Sequence, residues 1–299
     1  MHFHERFHKP LSHARRYEND YCPSSRPKRL LPNQIDTEQC ELLKLVEKAA
    51  SMGFKAIQIG PLTGYLDIEG ECLRKALDSQ KMERNVHVGG IFDAESLATA
   101  EREYKRVRKQ IRGAVTLCNE IVTTLVSIHP PFSRTTGEAN DELLRKARTR
   151  FRRLLKDEVD FASRKNVKVA LESFCYPPFI FRGLDEFSQF IEQFPPEKLG
   201  ILMDAGHVYQ AGIDLDEAVH LFKRRLLDIH VHDAMRDKDY REATHLPIGK
   251  GTIDFPRLID LLRQVSYDGW LTLEVRGNEQ ELVRSREYLE SLVGSVSRY

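Results

Sequence analysis

Four short aliphatic runs in this chain each close on a side chain that can hold a proton or a cation, and all four do so in the same phase. The runs are Val167–Glu172, Leu199–Asp204, Leu227–His232 and Leu271–Val275. Side chains alternate across a strand, so Val167, Val169 and Leu171 share one face while Glu172 takes the other. In the same way Leu227, Ile229 and Val231 oppose Asp228, His230 and His232, and Leu271, Leu273 and Val275 oppose Thr272, Glu274 and Arg276. Strands of this kind, separated by helix-length segments, suit a parallel barrel wrapped in helices. The aliphatic face packs outward on the helices, the polar face points inward, and chemistry collects at the C-terminal strand ends. Glu172, Asp204, His230 and Glu274 then meet at one end of one barrel.

The alternation extends along most of the chain. A helix from about Asp36 to Ser51 is expected to end at Gly53, before a strand from Phe54 to Ile59. A short helix near Ile68–Leu77 precedes a strand at Asn85–Val88, and one long helix at Ala94–Glu120 precedes Thr124–His129. Leu144, Ala147, Phe151, Leu154 or Leu155, and Ala162 recur at helical spacing within Asp141–Arg164. Further helices near Leu184–Gln193, Leu215–Arg224, Phe255–Val265 and Glu279–Val293 alternate with the strands ending at Asp204, His232 and Val275. Repeated βα units predict a parallel sheet, and 299 residues suit one (β/α)8 TIM barrel, which takes roughly 250. Seven strands are visible. The eighth is expected at the start, where Phe7–Ser12 is the best but an irregular candidate.

Two regions follow: residues 1–35, a basic, histidine-rich extension that includes the irregular first strand, and residues 36–299, the barrel. The extension carries His2, His4, His8 and His13, with seven Lys or Arg against three acidic residues, and no apolar core of a signal sequence. It reads first as a surface extension; an arm for nucleic acid or a lid over the site are the sharper readings. Across the whole chain 46 basic residues meet 45 acidic ones, so no global field draws it to nucleic acid or an acidic membrane. No apolar run is long enough to span a membrane. Five cysteines, odd in number and never in a C-x-x-C pair, fit reduced thiols and a cytoplasmic location. The expected partner is a small molecule, with a homo-oligomer compatible and nucleic acid disfavoured.

Two glutamates, an aspartate and a histidine offer hard oxygens and a borderline nitrogen, a donor set for one divalent ion such as Mn²⁺, Mg²⁺, Co²⁺ or Zn²⁺. One carboxylate at a strand end is usually a hydrogen-bonded rim group; four in one phase make a metal site the better reading. His87 and His129 also face inward by alternation. A histidine hydrogen-bonded inside the barrel, or one that binds substrate, is the plainer reading of each.

Several motifs carry a family resemblance: Ser127-Ile128-His129-Pro130-Pro131, Ala170-Leu171-Glu172, Met203-Asp204-Ala205-Gly206-His207, Ile229-His230-Val231-His232-Asp233, the run His245 to Gly251, and Leu271-Thr272-Leu273-Glu274. In this order, over roughly residues 36–294, the chain resembles the xylose-isomerase-like barrels. These include sugar isomerases, ketose 3-epimerases, inosose dehydratases and metal-dependent apurinic/apyrimidinic endonucleases. Likeness to the ketose 3-epimerases implies that Glu172, Asp204, His230 and Glu274 are metal ligands. It also implies that His207 and Arg236 grip substrate oxygens. A metal chelating a carbonyl and its neighbouring hydroxyl stabilises an enediolate, and two carboxylates can remove and return the proton; Glu172 and Glu274 are the candidates.

Likeness to the endonucleases implies more metals, held by histidines at comparable positions and an Asp-x-His. Here Ala243 stands two residues before His245 where that aspartate belongs, although His87, His129, His207 and His245 are all present. His232 is expected as a pocket wall or support behind the ligands, and His232 and His245 are the candidates for holding an additional metal. The expectation is a metal-dependent sugar isomerase or epimerase. An endonuclease, a dehydratase-type lyase and a non-catalytic sugar-binding barrel remain as alternatives. Pro177, Pro178 and Phe179 read as a pocket wall or a rigid loop, Pro247–Asp254 as a tight loop, and the basic run Arg145–Lys156 as a solvated outer helix face.

Overall fold

The computed structural model describes residues 32–60, 69–89, 92–133, 141–236 and 243–294, with side chains from residue 42 onward. The chain begins with α1 (Pro32–Ser51), β1 (Ala56–Ile59), α2 (Gly70–Ser79), β2 (Glu83–Val88), α3 (Ala94–Thr99), α4 (Glu101–Glu120) and β3 (Leu125–Ile128). It continues through α5 (Asp141–Ser163), β4 (Lys168–Glu172), α6 (Leu184–Ile191), β5 (Leu199–Asp204), α7 (Ala205–Gln210) and α8 (Leu215–Phe222). The last elements are β6 (Leu226–Val231), α9 (Phe255–Gln264), β7 (Trp270–Leu273) and α10 (Glu279–Gly294). The strands form one seven-stranded sheet in sequence order, every pair parallel. This is the TIM-barrel order with helices outside.

Alternation decides what faces where. Val86, Val88, Val126, Ile128, Val169, Leu171, Ile201, Met203, Ile229 and Val231 are buried in the layer between sheet and helices. Gln58, Asn85, His87, Ser127, Glu172, Asp204, Asp228, His230 and Thr272, also buried, occupy the opposite face. Helix α5 shows the complementary stripe: Leu144, Ala147, Phe151, Leu154, Leu155, Val159 and Ala162 are buried. Its outer arginines pair as the basic run predicts, Arg145 with Glu142 at 2.8 Å and Arg148 with Glu186 at 2.6 Å. Gly53 ends α1 as expected, at φ +84°, where a side chain is disfavoured.

The structure departs from expectation in three places. Helix α1 starts at Pro32 rather than Asp36. The single helix predicted over Ala94–Glu120 is two, because Ala100 is extended (φ −111°, ψ 127°). Glu101 and Glu103 then occupy the first turn of α4, where the helix dipole favours acids. A further helix, α7, follows β5 directly, started by Asp204 itself, whose carboxylate accepts from the His207 N–H at 2.7 Å. The candidate first strand, the four histidines of the extension, Cys22 and the Cys40 side chain lie outside the described residues. Cys72, Cys118 and Cys175 are free thiols. Among the described residues no helix is long and apolar enough to cross a membrane, and β1 and β7 are the two edges of the sheet. Beside those edges a cavity of about 500 Å³ is lined by Phe54, Ile259, Leu262, Tyr267, Trp270 and Leu289, among others.

Candidate metal centre

The parallel register brings the four strand-end residues together. Asp204 is paired with His230 across β5 and β6, Glu172 is the last residue of β4, and Glu274 extends the β7 ladder through its N–H to the Val231 carbonyl. One ligand atom from each of Glu172, Asp204, His230 and Glu274 lies within 4.8 Å of the others. His230 Nδ1 is 2.9 Å from Glu274 Oε2 and 3.9 Å from both Glu172 Oε1 and Asp204 Oδ2.

Two more groups flank this one. His87 Nε2 lies 3.0 Å from His129 Nε2, which lies 2.9 Å from Glu172 Oε2, while Ser127 Oγ holds the far side of the His87 ring at 2.8 Å. On the opposite flank His207, His232 and His245 converge, with ring centroids 4.3 to 5.0 Å apart. His232 Nε2 is 3.1 Å from Asp204 Oδ1, and His245 Nδ1 is 3.1 Å from the Glu274 carbonyl. Glu172 belongs to two of the three groups, and Asp204 and Glu274 touch both the central group and the three-histidine group.

Electrostatics follow from packing so many titratable groups without water. Burial pushes the Glu172 carboxyl up, against the opposing pull of His129 and His230. Burial also acts to raise Asp204, but the neighbouring His207 and His232 outweigh it and its carboxyl is held low. His207 is lowered to about 4 by burial, Asp204 notwithstanding. His230 is raised to about 10: desolvation disfavours its charge, and Glu274 and Glu172 more than offset that.

The residues fit a divalent ion. Glu172 Oε2, Asp204 Oδ2 and His232 Nε2 are buried and make no hydrogen bond among the described residues, although each has an oppositely disposed donor or acceptor within 4 Å. Buried polar atoms are rarely left so, and carboxylate oxygens facing imidazole nitrogens form the donor set borderline divalent ions prefer.

Arg236, nominated to grip substrate oxygens, is engaged by α7 and the residues after it. It is exposed, stacks 4.2 Å over the Tyr209 ring and donates to the carbonyls of Tyr209 and Ile213 at 3.0 and 3.1 Å. Those two backbone acceptors and the ring hold its guanidinium on the α7–α8 connection. Ala243, two residues before His245, is buried. His232, expected as a wall or support or as a holder of an additional metal with His245, stands with His245 in the three-histidine group.

Phe179 stacks on Phe174 at 4.0 Å, and it is Phe174 that meets the His129 and His207 rings, at 4.9 and 4.8 Å. The Pro247–Asp254 segment is the tight loop expected, gathered around Asp233, whose carboxylate accepts from the N–H groups of Gly249, Gly251 and Ile253. A polar layer of Gln58, Asn85, Asp228 and Thr272 lies beneath His230; alternation places Asp228 and Thr272 inward, but the sequence assigned the layer no role. Its signal was the same inward phase, carried by two amides, a hydroxyl and a carboxylate two residues before His230.

Similar proteins share this arrangement of chain. The chain is 26% identical over 268 residues to an uncharacterized protein of Methanocaldococcus jannaschii, covering 86% of each. It is 28% identical over 183 residues to a probable endonuclease 4 of a Sulfurihydrogenibium species, covering 56% of this chain and 62% of that one. It is 24% identical over 164 residues to an L-ribulose-5-phosphate 3-epimerase of Salmonella paratyphi B, covering 53% and 54%. Among solved structures, a D-tagatose 3-epimerase-like protein superposes with a TM-score of 0.71 at 24% identity, over 84% of this chain and 92% of that one. A family model described as xylose isomerase-like TIM barrel matches residues 46–292. With barrel order, strand-end cluster and that match in agreement, the chain belongs to the xylose isomerase-like TIM barrel family.

Proposed function

We propose that this protein is a divalent-metal-dependent isomerase or epimerase of a sugar or similar polyhydroxylated ketone, acting by proton transfer next to a carbonyl. The observation that carries the reading is the central group. Two carboxylates come from strands β4 and β7, with β5 and β6 between them, and converge with Asp204 on the Nδ1 side of His230. Glu172, Asp204, His230 and Glu274 would hold the ion, which supplies Lewis-acid polarisation of the substrate carbonyl and its neighbouring oxygen.

Glu172 and Glu274 are the proton carriers. Burial raises the Glu172 carboxyl, the direction that favours a group which must hold a proton. Glu274 is partly exposed, with 15% of its side chain accessible, and so has a path to substrate. His207 stays neutral at physiological pH and can accept a hydrogen bond from a substrate hydroxyl or donate one to its oxygen. Phe174 supplies an apolar wall beside His129 and His207 that limits the entry of water. The kinship with an L-ribulose-5-phosphate 3-epimerase supports the class of reaction.

The test is solvent exchange. In heavy water the wild type, loaded with Mn²⁺ and given a panel of ketoses, should wash deuterium into the reacting carbon. Glu274→Gln keeps an oxygen and the shape but takes no proton, so it should bind ligand and lose exchange. Wild-type exchange by that variant would remove Glu274 from the mechanism.

One observation favours a second reading, a nuclease acting at abasic DNA: the flanking His87–His129–Glu172 and His207–His232–His245 groups could hold further ions. Against it stands Ala243. Chelator-sensitive cleavage of abasic-site DNA, lost in both His87→Ala and His129→Ala, would establish that reading over the first.

A further inference from the structure

His230 has two ring nitrogens, and only one of them faces the metal group. Nδ1 points to Glu172, Asp204 and Glu274. Nε2 points the other way, down the barrel axis, to Gln58 Oε1 at 3.0 Å. A neutral imidazole carries one proton, so whichever nitrogen donates leaves the other as the lone pair that can hold a cation. The identity of the Gln58 atom opposite Nε2 therefore decides whether His230 is a ligand at all.

That identity is set by the layer below. Asp228 is buried, and four donors close on its two oxygens. Gln58 Nε2 and Asn85 Nδ2 reach Oδ2 at 3.1 and 2.9 Å, and Thr272 Oγ1 and the Ile229 N–H reach Oδ1 at 2.8 and 2.9 Å. Each oxygen is an acceptor in this arrangement, so the Gln58 amide must turn its NH₂ to Asp228. Its carbonyl is then left for His230. With the amide reversed, Nε2 of Gln58 would face Nε2 of His230, the imidazole proton would move to Nδ1, and the lone pair would point away from the carboxylates.

We infer that Gln58 is a positioning residue for metal capture: aligned by Asp228, it holds the proton of His230 on Nε2 and so presents Nδ1 to the cation. This rests on the metal site proposed above but not on the reaction assigned to it. The chain Asp228 to Gln58 to His230 crosses the barrel interior from β6 to β1 and back, so the partner of a β6 ligand comes from the first strand of the sheet. Partners on the far nitrogen of a metal-bound histidine fix its tautomer and ring orientation, and removing one typically weakens metal affinity by about 10–100-fold.

The probe is Mn²⁺ alone, which favours the oxygen-rich central group over the three-histidine group, titrated by calorimetry into chelator-stripped protein. Gln58→Leu matches the volume and removes the acceptor; it should weaken Mn²⁺ binding by about 10–100-fold. Gln58→Glu alone would set a second carboxylate against Asp228, so the rescue is the double variant Gln58→Glu/Asp228→Asn, which exchanges amide and carboxylate, again leaves an oxygen opposite Nε2, and should recover affinity to within a few-fold of wild type, a result that a purely space-filling role for Gln58 does not predict. Asp228→Asn leaves both Gln58 and His230 in place and should also weaken binding, which keeps the inference testable if Gln58→Leu does not fold. Wild-type affinity in Gln58→Leu, or a Gln58→Glu/Asp228→Asn double variant no better than Asp228→Asn alone, overturns the inference while leaving the metal site standing. A wild type that binds no Mn²⁺ overturns both, and ketose turnover, assayed separately, bears on the reaction alone.

Discussion

Replacing Gly206 with alanine should destabilise the protein through a single neighbour, His232. Gly206 is the second residue of α7, and a Cβ there would stand 1.9 Å from His232 Cε1, 2.3 Å from Nδ1 and 2.4 Å from Nε2. Ordinary contact begins near 3.4 Å, so the ring must withdraw by about 1.5 Å. It has nowhere neutral to go: His232 is fully buried, 3.1 Å from Asp204 Oδ1, and its Nδ1 accepts from the His245 N–H at 3.0 Å. Overpacking of this kind costs about 1–3 kcal/mol, and losing the hydrogen bond adds about 1 kcal/mol. Alanine's better helix propensity returns at most about 1 kcal/mol. The expected net loss is about 1–3 kcal/mol, read from urea unfolding of the metal-stripped protein. In a His232→Ala background the clash vanishes and only the propensity gain remains, so the same Gly206→Ala change should be neutral or slightly stabilising. Equal destabilisation in the two backgrounds would refute the close packing of α7 on His232.

Two further outcomes follow from the charges of the cluster. His207 falls from its ordinary 6.5 to about 4 in the folded protein, so between those values the unfolded chain binds the extra proton. Stability should then decline as pH drops from about 6.5 to about 4, by about 3 kcal/mol for this group, and His207→Gln should flatten that limb in unfolding measured across pH. His230 is raised to about 10, so an ion binding at Nδ1 near pH 8 must displace its proton. Calorimetric heats of Mn²⁺ binding should vary with the buffer's ionisation enthalpy, corresponding to about one proton released per ion; heats independent of buffer would place the ion away from His230.

How much of this was legible beforehand depended on what kind of rule each feature obeys. Strand alternation is local and strict, so Glu172, Asp204, His230 and Glu274, together with His87 and His129, could be placed on the inner face from a few residues of sequence. Arg236 could not be placed that way. Its offset from His230 says where its backbone lies but not where a long side chain ends, and the Tyr209 ring and two carbonyls of the α7–α8 connection claim it. Helix α7 escaped notice because six residues are too few for a periodic pattern. The break at Ala100 carries neither glycine nor proline to announce it. The contacts of His232 were hidden for a different reason: its partners, Asp204 and His245, are 28 and 13 positions away in sequence, a proximity that only the sheet creates.

The same packing of strands fixes the partners of each side chain in the cluster. Asp204 is pinned twice, by the β5 ladder and by capping α7, so its Oδ1 is committed and its Oδ2 remains for a cation. The far side of the His87 ring is held by Ser127, that of His230 by Gln58, and His245 by the Glu274 carbonyl. The His87 and His230 rings thereby keep their other nitrogens toward carboxylates, Glu172 and Glu274 respectively. Ordering these side chains only on binding would cost conformational entropy at the moment of capture. Here that cost is met in folding, which is also why adding one methyl group at Gly206 or removing one amide at Gln58 should be felt at the metal.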